Sequence, residues 1–377
     1  MKITAIEAIH LRVEDPNIGL FDGSYDDCVI RVRTDEGITG IGEVESLAPA
    51  IQALIRAAPA HNHARGLGEL LTGRDPSNPE ELWHLMYDAT DYIGRRGLVM
   101  HAIGGIDIAL WDIKGQLESK PIAELLGGAH RDRIEAYGTI YPMARTVAGV
   151  ERQVEDALRR LRLRNIKFAA DPWWMDDLDQ TARLLRAARR VLGTAGGMII
   201  DAALSYRTAE EGLRLVPIFK EVGVMFLEAP LPLDDIEGHA RMAEAGLALG
   251  VGDLGLTHAD EFIEAMDRGR ASICQPDITM VGGFTGICKV ARAARERQKR
   301  VITHGYKTNI EIAANLHFLA NHWTEELLEY STSKSPLRWE MTQERIEVGH
   351  DGTVEVPRGP GLGVHLNERT VEKFRIL

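Results

Sequence analysis

Apolar residues along this chain follow two rhythms. Up to residue 44 they alternate, and Met1 to Val13, Asp27 to Thr34 and Thr39 to Val44 read as strands of an antiparallel sheet, the last two joined by a turn at Asp35-Glu36-Gly37. Between about Pro79 and Gly115 the spacing becomes helical, through Leu82, Leu85 and Met86 and then Ile103, Ile106, Ala109, Leu110 and Ile113. Strands followed by helices predict an α+β domain.

From about Arg133 short apolar runs alternate with amphipathic stretches. The runs are Ile134 to Thr139, Asn165 to Ala169, Met198 to Asp201, Met225 to Glu228, Leu247 to Asp253, Ala271 to Cys274, Arg300 to His304 and Leu327 to Tyr330. Helices are predicted between them, among others over 178–191, 209–222 and 286–298. Eight such units in series predict an α/β fold closed as a parallel TIM-type barrel, with a doubly wound open sheet as the alternative. The segment from Gly349, with its PRGPGLGV run, is expected to cross back to the first domain. The expected division is therefore a capping domain over 1–128, joined by about 355–377, and a barrel over 129–354.

The formal charge of -12 argues against nucleic acid and anionic membranes, both of which need a basic surface. A small molecule is the better partner. An anionic one would need local cations at its site, and a bound metal would meet that need. Cys28, Cys274 and Cys288 are far apart and show no metal-ligand spacing, which fits a reducing cytoplasm. The opening residues lack a signal core, and no apolar run reaches the roughly 18 residues of a membrane span.

Barrel enzymes carry their working residues at the C-terminal ends of strands. Here those ends offer Lys167, Asp201, Glu228, Asp253, Asp277, His304 and Glu329, and from Asp201 onward they fall 24 to 27 residues apart, about one βα unit each. A single carboxylate there is ordinarily a helix cap. Three on successive strands, Asp201, Glu228 and Asp253, would be costly to bury together without a shared cation, and an all-oxygen set suits a hard ion such as Mg2+.

These residues, with the TDEGITGIGE hairpin, the AIGGIDIALWDIKGQ helix running to LLGG, the QPD and THG pair, and the late LEY and GPGLGV segments, resemble the enolase superfamily in its mandelate racemase-like group. The resemblance covers nearly the whole chain. It implies a modified barrel of the (β/α)7β kind under an α+β cap, and a homo-oligomer. It also implies a common partial reaction in which Mg2+ binds a substrate carboxylate and stabilises the enediolate left when the α-proton is removed by a Lys or His base.

The resemblance makes His304 the base and Asp277 its orienting partner. The family's Lys-x-Lys strand is here Lys167-Phe168-Ala169, so the second lysine is missing. Strand side chains alternate with period two, and Ala169 leaves the position on the side of Lys167 without a base. Two-faced racemisation then loses one partner. Lys167 is left to act on the substrate or to offset carboxylate charge, and Glu329 to hydrogen-bond a substrate oxygen. A histidine that takes the α-proton and returns it to a departing β-hydroxyl favours dehydration of a sugar acid. Two readings stay open: a cycloisomerase or lactonizing enzyme acting on an anhydro-sugar acid or lactone, and a non-catalytic ligand-binding barrel. Substrate contacts are expected from the cap at about Glu14 to Asp26, including Asn17, Phe21 and Tyr25, and at Glu45 to Leu47. From the barrel, Tyr306 and Lys307 are the expected contacts.

Overall fold

The computed structural model describes residues 1–14, 22–323 and 326–376. Strands β1 (Ile3–Arg12), β2 (Asp26–Thr34) and β3 (Thr39–Val44) form an antiparallel sheet in that order. Its buried face carries the helix Leu98–Glu118, which is apolar nearly all round because sheet, barrel and neighbouring helices enclose it. Gly40 and Gly42 make the close approach possible: a Cβ on either would collide with the backbone carbonyl of Ala109 or Gly105.

The barrel strands are β4 (Arg133–Ile140), β5 (Asn165–Ala169), β6 (Met198–Asp201), β7 (Val224–Glu228), β8 (Leu249–Val251), β9 (Ile273–Cys274), β10 (Arg300–Val301) and β11 (Leu328–Glu329), and their pairings with one another are parallel. All eight predicted strands are present. The order runs β10-β9-β8-β7-β6-β5-β4-β11, so the last strand joins the first and the sheet curls round. Tyr137, Ile199, Phe226, Ile273, Ile302 and Leu327 meet as one buried cluster inside it, which is why these strands read as apolar runs rather than alternating ones. Amphipathic helices cover the outside; Leu178–Leu192, for example, starts at Asp177, whose side chain accepts the Gln180 N–H.

One helix differs from expectation. The stretch predicted over 209–222 is two pieces, Ala209–Leu213 and Val216–Glu221, because Pro217 has no N–H to donate and its ring excludes the carbonyl four residues earlier. A twelfth strand, β12 (Thr353–Glu355), pairs antiparallel with β4. The chain then runs over the helix Leu98–Glu118, where the Leu362 N–H meets Asp112 Oδ1 at 2.9 Å, and on to the first sheet. There Arg31 forms a two-pronged ion pair with Glu368 (2.7 and 2.8 Å) and the Ile376 N–H reaches the His10 carbonyl.

The cap meets the barrel closely at the turn 277–283. Trp83 Nε1 donates to the Gly282 carbonyl at 2.9 Å, and Asp107 accepts both the amide and the hydroxyl of Thr285, closing the first turn of the helix Gly283–Glu296. Among the described residues no helix is long and apolar enough to cross a membrane.

Candidate active site

All seven polar strand-end residues converge at one end of the barrel. Asp201, Glu228 and Asp253 each bring a carboxylate oxygen within 4.8 Å of the others. Glu228 Oε2 and Asp253 Oδ1 are buried and have no hydrogen-bond partner. Such orphaned acceptors are costly in a packed interior. Crowding has the expected electrostatic effect: burial and the neighbouring Asp201 and Asp253 push Glu228 well above the usual carboxylate range despite Lys167, and burial with Asp201 pushes Asp253 up to about 7. A divalent cation at this position would reverse both shifts and satisfy both orphans, and the all-oxygen set fits a hard ion. These three residues could hold a metal.

Lys167 stands between two of the carboxylate groups, fully buried, with its Nζ 2.5 Å from Glu228 Oε1 and 2.7 Å from Glu329 Oε1. Burial alone would lower its pKa, but Glu228 and Glu329 together hold it well above the ordinary lysine value, so it stays charged. Glu329 also accepts from Tyr137 Oη (3.1 Å) and Thr139 Oγ1 (3.0 Å), two residues that β4 points inward. The sequence did not single them out, although their period-two spacing in YGTI puts both on one face of the strand. Burial opposes the ionised form of Glu329, yet Lys167 and His304 carry its pKa below the usual value.

Facing this group is the pair His304 and Asp277. His304 Nδ1 lies 2.8 Å from Asp277 Oδ2, which leaves Nε2 as the nitrogen available for the pocket. Asp277 Oδ1 in turn accepts the amide (2.7 Å) and hydroxyl (2.6 Å) of Thr279. Burial would depress the imidazole, but the hydrogen bond to Asp277 and the charge of Glu329 raise it to about 10. Asp277 is lowered against its burial by the same hydrogen bond and by Thr279. A cation at the three carboxylates would draw the imidazole back down.

The expected substrate contacts separate into different places. Tyr306 is half-buried, with its hydroxyl 3.2 Å from Thr332 Oγ1, and burial raises its pKa to about 12. Tyr25 is half-buried beside Asp22 in the cap. Lys307 is enclosed in the seam between the domains: its Nζ donates to the carbonyls of Gly23 and Asp26 at 2.8 Å each and lies 3.4 Å from Glu45 Oε2. Phe21 and Asn17 lie outside the described residues. The cap segment at 22–24 is gripped from the barrel by Ser333, which donates to Asp22, and by Ser335, which donates to the Ser24 carbonyl, both at 2.6 Å. Glu43, which the sequence did not single out, reaches from β3 to accept the amides of Thr308 and Glu311 at the start of the helix Asn309–Asn321. Nothing local in the sequence marks it, because its partners lie across the domain seam.

Comparison with known proteins gives a consistent picture. Residues 25–127 match the family described as mandelate racemase / muconate lactonizing enzyme, N-terminal domain, and residues 149–370 match that described as enolase C-terminal domain-like. The chain is 30% identical to the D-galactarolactone cycloisomerase of Agrobacterium fabrum over 92% of its own length and 91% of the relative's. It is 29% identical to the arabinonate dehydratase of Saccharolobus solfataricus over 95% and 92% of the two chains. Its fold superposes on the crystal structure of the 3,6-anhydro-D-galactonate cycloisomerase from Zobellia galactanivorans with a TM-score of 0.86, at 26% identity and full coverage of both chains, 100% each.

Proposed function

Since the chain belongs to the mandelate racemase / muconate lactonizing enzyme family, with an enolase-like C-terminal domain, and is thus a lyase or isomerase, we propose that it dehydrates a sugar acid to a 2-keto-3-deoxy acid. The observation that carries the reading is the single-sided proton machinery: one imidazole, oriented by Asp277, opposite Lys167, with Ala169 where a second base would stand. Enzymes of this superfamily use a divalent metal, and Asp201, Glu228 and Asp253 are the residues that would hold it here, as Mg2+. When bound, the ion supplies positive charge to the substrate carboxylate and so stabilises the charge that develops on its oxygens.

The chain's own residues do the rest. His304 Nε2 takes the α-proton, and Asp277 stabilises the imidazolium through Nδ1. Lys167 and Glu329 form a fixed polar wall toward which the carboxylate oxygens turn, with Lys167 offsetting their charge. The electron pair released from the C–H bond forms a carbon–carbon double bond as the β C–O bond breaks, and His304 returns its proton to the departing hydroxyl, which leaves as water. The resulting enol becomes the 2-keto product. Tyr25 and Tyr306 line the mouth as contacts for the far hydroxyls. Lys307 acts as a tie between cap and barrel, since its ammonium is held by the carbonyls of Gly23 and Asp26 and faces the carboxylates of Asp27 and Glu45. The division near residue 128, with the segment from about 355 returning to the cap, is supported by the Arg31 to Glu368 pair. The three cysteines, all unpaired, agree with a cytoplasmic setting, and the family likeness supports a homo-oligomer.

A second reading, cycloisomerisation, is favoured by the relatives that carry that name. A screen of aldonic and aldaric acids and their lactones with Mg2+, followed by mass spectrometry, tests both. Loss of water with a new keto group, abolished by EDTA, supports dehydration; a product of unchanged mass supports cycloisomerisation; and turnover by H304N equal to wild type would remove His304 as the base.

A further inference from the structure

Thr279 is fully buried, and its hydroxyl stands between two domains. It donates to Asp277 Oδ1 at 2.6 Å and accepts the backbone N–H of Glu45, from the cap, at 2.9 Å. The direction is forced. An amide can only donate, so the single hydroxyl proton must point to Asp277. A hydrogen bond accepted from an amide fixes the rotamer of the hydroxyl and polarises its O–H, and Asp277 uses its other oxygen for His304. Glu45 therefore touches the proton machinery without reaching it.

The surroundings make this contact depend on how the cap is seated. The loop Glu45–Leu47 is held at further points: Ser46 Oγ lies 3.2 Å from His101 Nδ1, and the Glu45 carboxylate packs against Gly23 and faces Lys307. Behind Thr279, its own carbonyl sits against Gly104 of the cap helix so closely that a Cβ there would come within 2.6 Å. Asp277 is thus connected through one side chain to a loop that borders the barrel mouth.

We infer that Thr279 is a positioning residue that transmits the seating of the capping loop at Glu45–Leu47 to the His304 and Asp277 pair. This rests on the reading of that pair as the proton-transfer machinery. With the loop seated, the Thr279 hydroxyl holds Asp277 Oδ1 and aims Oδ2 at the imidazole. With the loop displaced, the hydroxyl loses its fixed rotamer, Asp277 Oδ1 loses a donor, and the carboxylate charge shifts toward the hydrogen bond between Oδ2 and the imidazole. Around the pair stand Glu329 and Lys167 from the barrel, Asp253 from the carboxylate cluster, Glu311 from the helix Asn309–Asn321, and Glu45 and His101 from the cap, and none of these six is hydrogen-bonded to Asp277.

The test reads the pair without substrate. In 15N-histidine-labelled protein the Nδ1–H of His304 gives a low-field proton signal, assigned by its loss in H304N. T279V removes the hydroxyl at nearly constant volume and concentrates carboxylate charge on the remaining hydrogen bond, so the signal is expected to move downfield. T279S restores the donor and should return it to the wild-type position. E45P, read against E45Q, which loses the carboxylate but keeps the amide, should move the signal in the same direction as T279V, yet add nothing beyond E45Q in the T279V background. An unmoved signal in T279V, or a T279S signal displaced as far as that of T279V, overturns the inference, as does a full additional E45P shift in the double variant. If E45P does not fold, the two Thr279 variants decide. Full turnover by H304N would instead overturn the reading of the base, and the two failures are separable.

Discussion

Substituting Gly104 by alanine tests the docking of cap on barrel with an effect whose sign discriminates. Gly104 lies inside the helix Leu98–Glu118, where exchanging glycine for alanine ordinarily stabilises by about 1 kcal/mol. Here the added Cβ would meet the Thr279 carbonyl oxygen at 2.6 Å and the Gly283 nitrogen at 3.2 Å, both backbone atoms of one tight turn that cannot rotate away. Ordinary contact begins near 3.4 Å, so helix and turn must part by roughly 0.8 Å. Crowding of this kind costs about 1–3 kcal/mol. The same displacement stretches the Trp83 to Gly282 and Glu45 to Thr279 hydrogen bonds, each worth about 0.5–1.5 kcal/mol net. Set against the helix gain, the expected result is a loss of about 1–5 kcal/mol. Urea unfolding followed by circular dichroism and by the fluorescence of Trp83 and its fellows should show the midpoint falling. An unchanged or higher midpoint would mean that the helix does not lie against the turn as described.

The other expectations concern the site itself. H304N should lower turnover by about a hundred- to ten-thousandfold while calorimetric Mg2+ affinity stays at the wild-type value; a parallel loss of ion binding would point to collapse of the site instead. In ion-free protein, the raised pKa values of Glu228 and of Asp253 (about 7) mean that the folded state binds protons more tightly than the unfolded one. Their stabilisation is complete below the ordinary carboxylate range and is lost as pH rises through about 7. His304, raised to about 10, acts in the same sense at higher pH. Thermal unfolding in EDTA should therefore weaken from pH 5 to pH 8, and Mg2+ should restore it; a flat profile indifferent to Mg2+ would sink the metal assignment. K307M should cost about 3–5 kcal/mol by leaving buried Asp27 and the Glu45 carboxylate without their cation, and should expose the segment 22–26 to limited proteolysis, whereas wild-type resistance would deny Lys307 its role as a tie.

Much of this architecture was legible in the amino-acid order because barrel strands are buried on both faces. Met198 to Asp201 and Val224 to Glu228 are little more than an apolar run ending in an acid, and the recurrence of that pattern exposes both the fold and the site. What escaped depends on distance. Thr279 and Glu45 are 234 positions apart, and nothing near either residue announces the other. Lys307 reads as a charged side chain beside a catalytic loop, and only the carbonyls of Gly23 and Asp26, folded against it from the cap, turn it into a seam residue. β12 is too short to leave a periodic trace, and the break at Pro217 was visible but outweighed by the helical spacing on either side of it.

The contact between β1 and residues 375–376 has a consequence for how the protein comes into being. Leu11 and His10 emerge from the ribosome early, and the backbone groups they bind at Arg375 and Ile376 emerge hundreds of residues later. At about 5–20 residues per second, roughly 20–70 seconds separate the two. Throughout that interval the Leu11 end of β1 is an open sheet edge, with Arg12, Arg31 and Arg33 along it or beside it as charged guards against pairing with other nascent chains. The cap is therefore begun before the barrel and closed after it, and a chain released before residue 375 would retain that open end.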